Sequence, residues 1–465
     1  MRGRPRFSRG LLSALVLILF PLLAACASGA GTGAAGTTAA QTAAAGVTDD
    51  PGATTAAAET SAPETAAPET AAPVGTVADA TADAATAAPT EASSPSTPAP
   101  AATEAVTAAA AAEQPNRPGF GVVAHLYYTD RDRVLQLAQN AGFEWIRQQV
   151  PWKDTENADR TFAWDELDRI VESVNAKGQK LLLSLTKSPD FLTGRKDDNG
   201  LPQDPKDFGR FAEEVVKRYK GKVHAIEVWN EQNLAWENGG RVVPEDATRY
   251  VELLKEGYTR IKAVDPSVVV VAGALSSTGV TEPDKAVDDI LYLRQMYAHN
   301  GGEIRNYFDA QGFHPASAAN HPDRKFPEDP GDAPGWNDHP THYFRHIEDV
   351  RQVMEEAGLA DKKVWITEMG WATENNSPGY EYGNYISQEL QGQYLEAALF
   401  RTAFQYGDWV GAVFLWNLNF AVEWAESNPL HEQASFGLLN PDWSPRPSFT
   451  AVQGFIAAAK ANDQP

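Results

Sequence analysis

From Phe120 onward the chain alternates two patterns. Short apolar runs rich in β-branched residues are followed by longer stretches with apolar residues every three or four positions, the spacing of a helix with one buried face. Eight such runs predict strands near residues 121–125, 145–149, 180–185, 225–229, 268–272, 310–314, 364–367 and 411–415. Helical spacing between them is clearest at 131–140, 207–219, 247–264, 343–356 and 387–406. A strand repeatedly followed by a helix predicts parallel strands joined by crossovers. No Gly-rich phosphate fingerprint follows the first run, which argues against a doubly wound dinucleotide-binding sheet and leaves an α/β fold of the (β/α)8 TIM barrel type. Chemistry in that fold sits at the C-terminal ends of the strands and in the loops after them. The connections after the third, sixth and eighth runs are the long ones, and they are rich in Trp, His, Asp and Pro.

The first 116 residues follow neither pattern. Arg2, Arg4, Arg6 and Arg9 precede an apolar run from Leu11 through Phe20, the n-region and h-region of a signal peptide. Pro21 interrupts a stretch already short of the ~20 residues that span a bilayer. The run closes on Leu23-Ala24-Ala25-Cys26, which resembles the bacterial lipobox, where the cysteine is lipidated and becomes the first mature residue. Cys26 is the sole cysteine, so an intramolecular disulfide and any multi-cysteine metal site are excluded. Residues 27–116 are almost wholly Ala, Thr, Pro, Gly, Ser and scattered acids, without one aromatic side chain. Such a composition cannot bury enough apolar area to offset the entropy of ordering, and predicts a disordered Ala/Thr/Pro-rich linker. The expected organisation is a signal peptide over 1–25, a linker over 26–116 and a barrel domain over 117–465. The expected location is the cell envelope, lipid-anchored to the membrane, with the domain outside the cytoplasm.

Charge narrows the partners. Residues 117–465 carry 35 basic and 52 acidic side chains, a net of −17. A domain so acidic suits neither nucleic acid nor an anionic surface, so membrane contact is expected only through the anchor and the ligand is expected to be neutral, as sugars are. A monomer is expected.

Two strand ends carry the candidate chemistry. The fourth run ends Trp229-Asn230-Glu231, and the seventh ends Thr367-Glu368. Their separation of 137 residues spans three βα units of roughly 45 residues each, so both carboxyls reach the same barrel mouth. One carboxyl to protonate a leaving oxygen and another to attack an anomeric carbon is what glycoside hydrolysis needs.

These paired motifs resemble the signatures of glycoside hydrolase clan A, over about residues 120–458, with families 39 and 5 nearest. The resemblance implies a retaining β-glycosidase acting on a β-linked glycan, with Glu231 as acid/base and Glu368 as nucleophile. It implies that Asn230 bonds the sugar 2-hydroxyl, that Arg147 steadies the nucleophile from the second strand and that Trp416 is the platform under the sugar ring. His314 matches one member of a His-x-Tyr found on strand six of some family 5 enzymes, but Ala316 stands where the Tyr would be. A histidine those enzymes carry after strand three has no counterpart in Ser184-Leu185-Thr186-Lys187. Trp371, Trp236 and Trp424 are further candidates for sugar contact; packing within the core or their own loops is the alternative. A structural ion pair is the alternative for Arg147, and a satisfied core histidine the alternative for His314.

Other constellations compete with this one. His339, His342 and His346 share a helix-compatible spacing that suggests a metal site, with His321 and Asp338 nearby, but no HExxH pattern accompanies them. No G-x-S-x-G elbow is present for serine chemistry. No metal and no cofactor is expected. The rival functions are a non-catalytic carbohydrate-binding lipoprotein on a degenerate barrel and a transglycosylase using the same glutamate pair.

Overall fold

The computed structural model describes residues 117–195 and 199–462; the expected signal region, the linker and Cys26 lie outside the described residues. Eight strands form a closed, wholly parallel barrel in chain order. They are β1 (Gly119–Val123), β2 (Trp145–Pro151), β3 (Lys180–Thr186), β4 (Ala225–Val228), β5 (Val269–Ser276), β6 (Ala310–His314), β7 (Lys363–Met369) and β8 (Val410–Leu415). The principal helices, one after each strand, are α1 (Arg131–Asn140), α2 (Asp165–Ala176), α3 (Pro205–Arg218), α4 (Asp246–Val264), α5 (Asp289–Ala298), α6 (Ile347–Glu356), α7 (Gln388–Phe404) and α8 (Pro447–Ala461). Side chains of Asp130, Asp204, Asp288 and Ser387 accept from backbone N–H groups in the first turns of α1, α3, α5 and α7, satisfying donors that the helices leave open.

Two expectations need adjusting. β5 runs beyond residue 272 to Ser276, because a register shift against β6 between Ala272 and Leu275 lets pairing resume. The helix expected from residue 343 begins at Ile347, since residues 340–346 are wound as two separate 3₁₀ turns, the first opening on Pro340.

Strand alternation builds the interior. On β3, Leu181, Leu183 and Leu185 belong to the apolar shell between strands and helices, whereas Leu182 turns into the barrel. Trp145, Ala225, Trp365 and Phe414 join it there, with the Trp145 and Trp365 rings edge to face at 5.3 Å. Burying each large apolar side chain contributes about 1.5–3 kcal/mol, so this floor holds the barrel closed beneath the mouth. Two residues further along each of four strands, the same inward parity sets Arg147, Ser184, Glu227 and Thr367, all fully buried. A polar layer therefore rests on an apolar one.

The strands approach so closely in places that only glycine fits. At Gly312 on β6, a Cβ would lie 2.7 Å from the carbonyl oxygen of Ala272 and 2.8 Å from the amide nitrogen of Ala274, both backbone atoms of β5. Gly312→Ala is expected to destabilise the domain by about 1–3 kcal/mol through overpacking, measured as a lowered midpoint in denaturant unfolding of residues 117–465. An unchanged midpoint would show that β5 and β6 separate freely.

Candidate active site

Backbone bends at the strand ends aim the polar side chains. Lys187, Trp229 and Glu231 all adopt positive φ (59°, 71° and 48°), a conformation costing a non-glycine residue about 1–2 kcal/mol. Neighbouring strands hold the latter two there. Glu231 N donates to Ala274 O at 2.8 Å, and Trp229 N to Leu185 O at 3.0 Å. Gln232 Nε2 donates to Gly273 O, and Asn233 pairs with both the N–H and the C=O of Ser276. On β7 a register shift against β8 between Ile366 and Met369 breaks the alternation, and Glu368, next to the inward Thr367, also reaches the mouth.

Arg147 is the hub of the resulting cluster. Its Nε donates to Glu227 Oε2 at 2.8 Å, its Nη1 to Glu368 Oε1 at 2.5 Å, and its Nη2 to Asn230 Oδ1 at 2.8 Å. Burial works against the guanidinium charge, but Glu227 and then Glu368 overcome it and raise its pKa. Burial equally pushes Glu227 up, and Arg147, followed by His314 and Thr367, brings it below the ordinary carboxylate range.

The two candidate catalytic carboxyls differ. Burial pushes Glu231 up to about 7, against a hydrogen bond from Ser276 and the field of Arg147. Glu368 is also raised by burial, against His314 and Arg147, yet it alone of the pair touches the guanidinium and keeps 14% of its side chain open to solvent. Between them stands His314, whose Nδ1 is 3.0 Å from Glu231 Oε1 and 3.9 Å from Glu368 Oε2, and whose Nε2 is 2.9 Å from Thr367 Oγ1. Burial lowers its pKa and favours the neutral ring. The cluster thus joins a carboxyl that holds its proton to one held against a cation, the pairing that general acid and nucleophilic work require.

The tryptophans divide. Trp416, at the end of β8, is half-buried and packs edge to face on Phe420 at 4.9 Å. Half-buried Trp236 has Lys187 Nζ 5.2 Å from its ring centre. Trp424 is stacked on His431 at 3.7 Å, which covers one of its faces. Trp371, expected to contact sugar, is instead part of the core. It is 1% exposed, packs near Phe344 and Tyr394 and donates its indole N–H to Asn320 O, so neither ring face is open to a ligand.

The histidine series does not converge. His346 lies between Asp289 (3.0 Å) and Asp349 (2.8 Å), while His339 bonds Thr341 and its ring is 6.1 Å from that of His342. Among the described residues, one group brings three metal-capable side chains with donor atoms within 4.8 Å, namely Glu252, His299 and Glu303. His299 and Glu303 lie in the connection leading into β6, at the barrel end opposite the mouth.

Four residues of this mouth stand outside the sequence motifs. Glu227 faces inward two positions after Ala225, and alternation along β4 was the signal for it. Lys187, Glu237 and Tyr380 come from loops, where no periodicity indicates direction; Lys187 acts to lower Glu231, and Glu231 in turn raises Glu237 and Tyr380. Glu237 is itself pushed by burial up to about 7.

A parallel closed barrel with this carboxyl-lined mouth has the architecture of a glycoside hydrolase. The sequence profile described as Cellulase (glycosyl hydrolase family 5) matches residues 110–400. With more than half its length so matched, the chain belongs to glycoside hydrolase family 5. Solved structures share the fold. A family 39 glycoside hydrolase from the gut symbiont Bacteroides cellulosilyticus WH2 superposes with a TM-score of 0.53 at 22% identity, over 74% of this chain and 64% of that one. A glucosidase from Croceicoccus marinus gives 0.51 at 13%, over 74% and 68%. GH5_18 from Streptomyces cattleya, solved in complex with GlcNAc, gives 0.50 at 14%, over 74% and 80%. The chain thus spans less than two thirds of the family 39 protein. No curated protein sequence matches it.

Proposed function

We propose that the protein hydrolyses O-glycosidic bonds of a neutral β-linked oligo- or polysaccharide with net retention, Glu231 acting as acid/base and Glu368 as nucleophile. The observation that carries this reading is the single nitrogen both carboxyls approach, His314 Nδ1, at 3.0 and 3.9 Å. Laid end to end those distances put the two oxygens at most about 7 Å apart, which favours the ~5–5.5 Å spacing of retaining enzymes over the ~6.5–9.5 Å of inverting ones. Glu231 gives its proton to the leaving oxygen while a Glu368 oxygen attacks the anomeric carbon; the C–O bond breaks and a glycosyl ester forms. Water then attacks the same carbon, returns a proton to Glu231 and frees Glu368. Arg147 favours the anion of Glu368 against the burial that raises it and, by holding Asn230 Oδ1, turns that side chain's amide toward the sugar 2-hydroxyl.

Substrate neutrality rests on charge. The two cations of the mouth, Arg147 and Lys187, are matched in number by the carboxylates of Glu227 and Glu368, so the mouth offers an anionic sugar no excess positive field. Trp416 supplies the ring platform, and Trp236 and Trp424 supply flanking faces. The domain over 117–465 is carried outside the cytoplasm by the signal at 1–25, a lipid on Cys26 and the tether that follows.

Three outcomes test this reading. Proton NMR of the first sugar released from a cleaved β-glycoside is expected to show the β anomer, and Glu368→Ala is expected to abolish turnover, with azide restoring it as inverted product. Release of the α anomer by the wild type would remove Glu368 from the nucleophile's role.

Because the Glu231 pKa is raised to about 7, kcat/KM is expected to fall as pH rises through that value and the acid form is lost. Glu231→Ala is expected to cost about 10²–10⁴-fold on poor leaving groups and far less on activated aryl glycosides. Equal losses on both would contradict an acid role.

Cys26→Ser protein is expected to leave the membrane fraction, with acyl mass present only on the wild type. Membrane retention by the serine variant, with no acyl mass on the wild type, would refute the anchor.

A further inference from the structure

The proton inventory of one hydrogen-bonded chain carries a further step. Thr367 Oγ1 lies 2.8 Å from Glu227 Oε1 and 2.9 Å from His314 Nε2. A threonine hydroxyl has one proton, and Glu227, ionised against Arg147, can only accept. That proton therefore goes to Glu227. The remaining lone pairs of the hydroxyl face His314, so Nε2 must carry hydrogen and donate. In a neutral imidazole Nδ1 is then bare, and bare Nδ1 sits 3.0 Å from Glu231 Oε1. A hydrogen bond there needs a proton on Glu231. With Glu231 ionised, two sets of lone pairs would oppose each other inside a buried site.

We propose that Thr367 is a positioning residue that, through Glu227 on one side and His314 on the other, fixes the His314 tautomer and so holds Glu231 in its acid form. The proton Glu231 gives to the leaving oxygen is stored in the Glu231–His314 contact. Loss of that proton leaves a carboxylate facing a bare nitrogen, which makes the pair a strong acceptor for the proton of the attacking water. One proton leaves and one returns in each cycle.

Other charged and polar groups also act on this pair. Arg147 on β2, Lys187 after β3, Glu227 on β4 and Ser276 at the end of β5 bear on Glu231, which in turn raises Glu237 after β4, Glu368 on β7 and Tyr380 after β7, and Arg147, Glu227 and Glu368 bear on His314 as well. All of them remain in a Thr367 variant, so a change of titration reports the hydroxyl.

The inference rests on the proposed acid role of Glu231, and the test separates the two. In Thr367→Val, His314 is released to place its proton on Nδ1 and donate to an ionised Glu231. The high-pH limb of kcat/KM is expected to move down by about one pH unit or more, and Thr367→Ser, which restores the hydroxyl, is expected to return it. A uniform loss of rate with an unmoved limb would mean a merely structural threonine and would overturn the proposal. The second measurement needs neither substrate nor a variant: ¹⁵N NMR of imidazole-labelled full-length wild type near pH 6. Hydrogen on Nε2 with bare Nδ1 at His314 is the expected result, and hydrogen on Nδ1, alone or in an imidazolium, overturns the proposal whatever the activity. The expected tautomer in a protein that cleaves no glycoside would uphold the proton arrangement while defeating the proposed function.

Discussion

Everything at the mouth depends on one buried cation. Arg147 comes from β2, is fully enclosed, and bonds partners on β3, β4 and β7 or just beyond them. Taking a guanidinium out of water costs several kcal/mol, and Glu227, as deeply buried, offsets that cost within the same layer. Removing one member of such a pair typically costs ~3–5 kcal/mol, because the other is left charged and alone. The planar fork matters as much as the charge. A lysine ammonium at this height would be a point donor and would not reach Glu227, Asn230 and Glu368 together in fixed directions. The polar layer is therefore at once a load on stability and the frame that orients the chemistry.

The load is carried by what lies beneath and around it. The apolar floor of Trp145, Leu182, Trp365 and Phe414 closes the barrel, and the shell between strands and helices encloses it. Against that background the strained ends of β3 and β4 are tolerated, since Lys187 O accepts from Lys153, Trp229 N and Glu231 N donate to Leu185 and Ala274, and the side chains of Gln232 and Asn233 donate to Gly273 and Ser276. Strain concentrated where strands end, and supported by neighbours on the next strand, is the pattern of a site that stays formed without ligand.

Much of this was legible in the residues. Alternating strand and helix periods lead to a closed barrel, and all eight strands lie where apolar runs occur, because burial on both faces makes parallel strands conspicuous. Glu231 and Glu368 stood out as the acids ending two such runs. Glu227 did not, although it obeys the same alternation, because a lone acid within an apolar strand has no visible partner until Arg147 is brought against it from a strand 80 residues away. Trp371 misled for the opposite reason. It follows Gly370, whose missing side chain admits the carbonyl of Trp416 and the ring of Phe436, and the chain turns there, carrying the indole into the core. Lys187, Glu237 and Tyr380 are set by loop conformation, which leaves no periodic trace.

The two glutamates begin as the same functional group in the same opening, and the fold makes them different. Burial raises both, so desolvation alone would not separate their protonation. What separates them is direction. The irregular register of β7 brings Glu368 to Arg147, whereas the turn through positive φ after β4 brings Glu231 to a neutral imidazole. A carboxyl facing a guanidinium is stabilised as the anion, and one facing a bare nitrogen is stabilised as the acid. Either backbone feature without the other would leave two carboxyls of one kind, and the pair would lose the asymmetry on which the proposed double displacement depends.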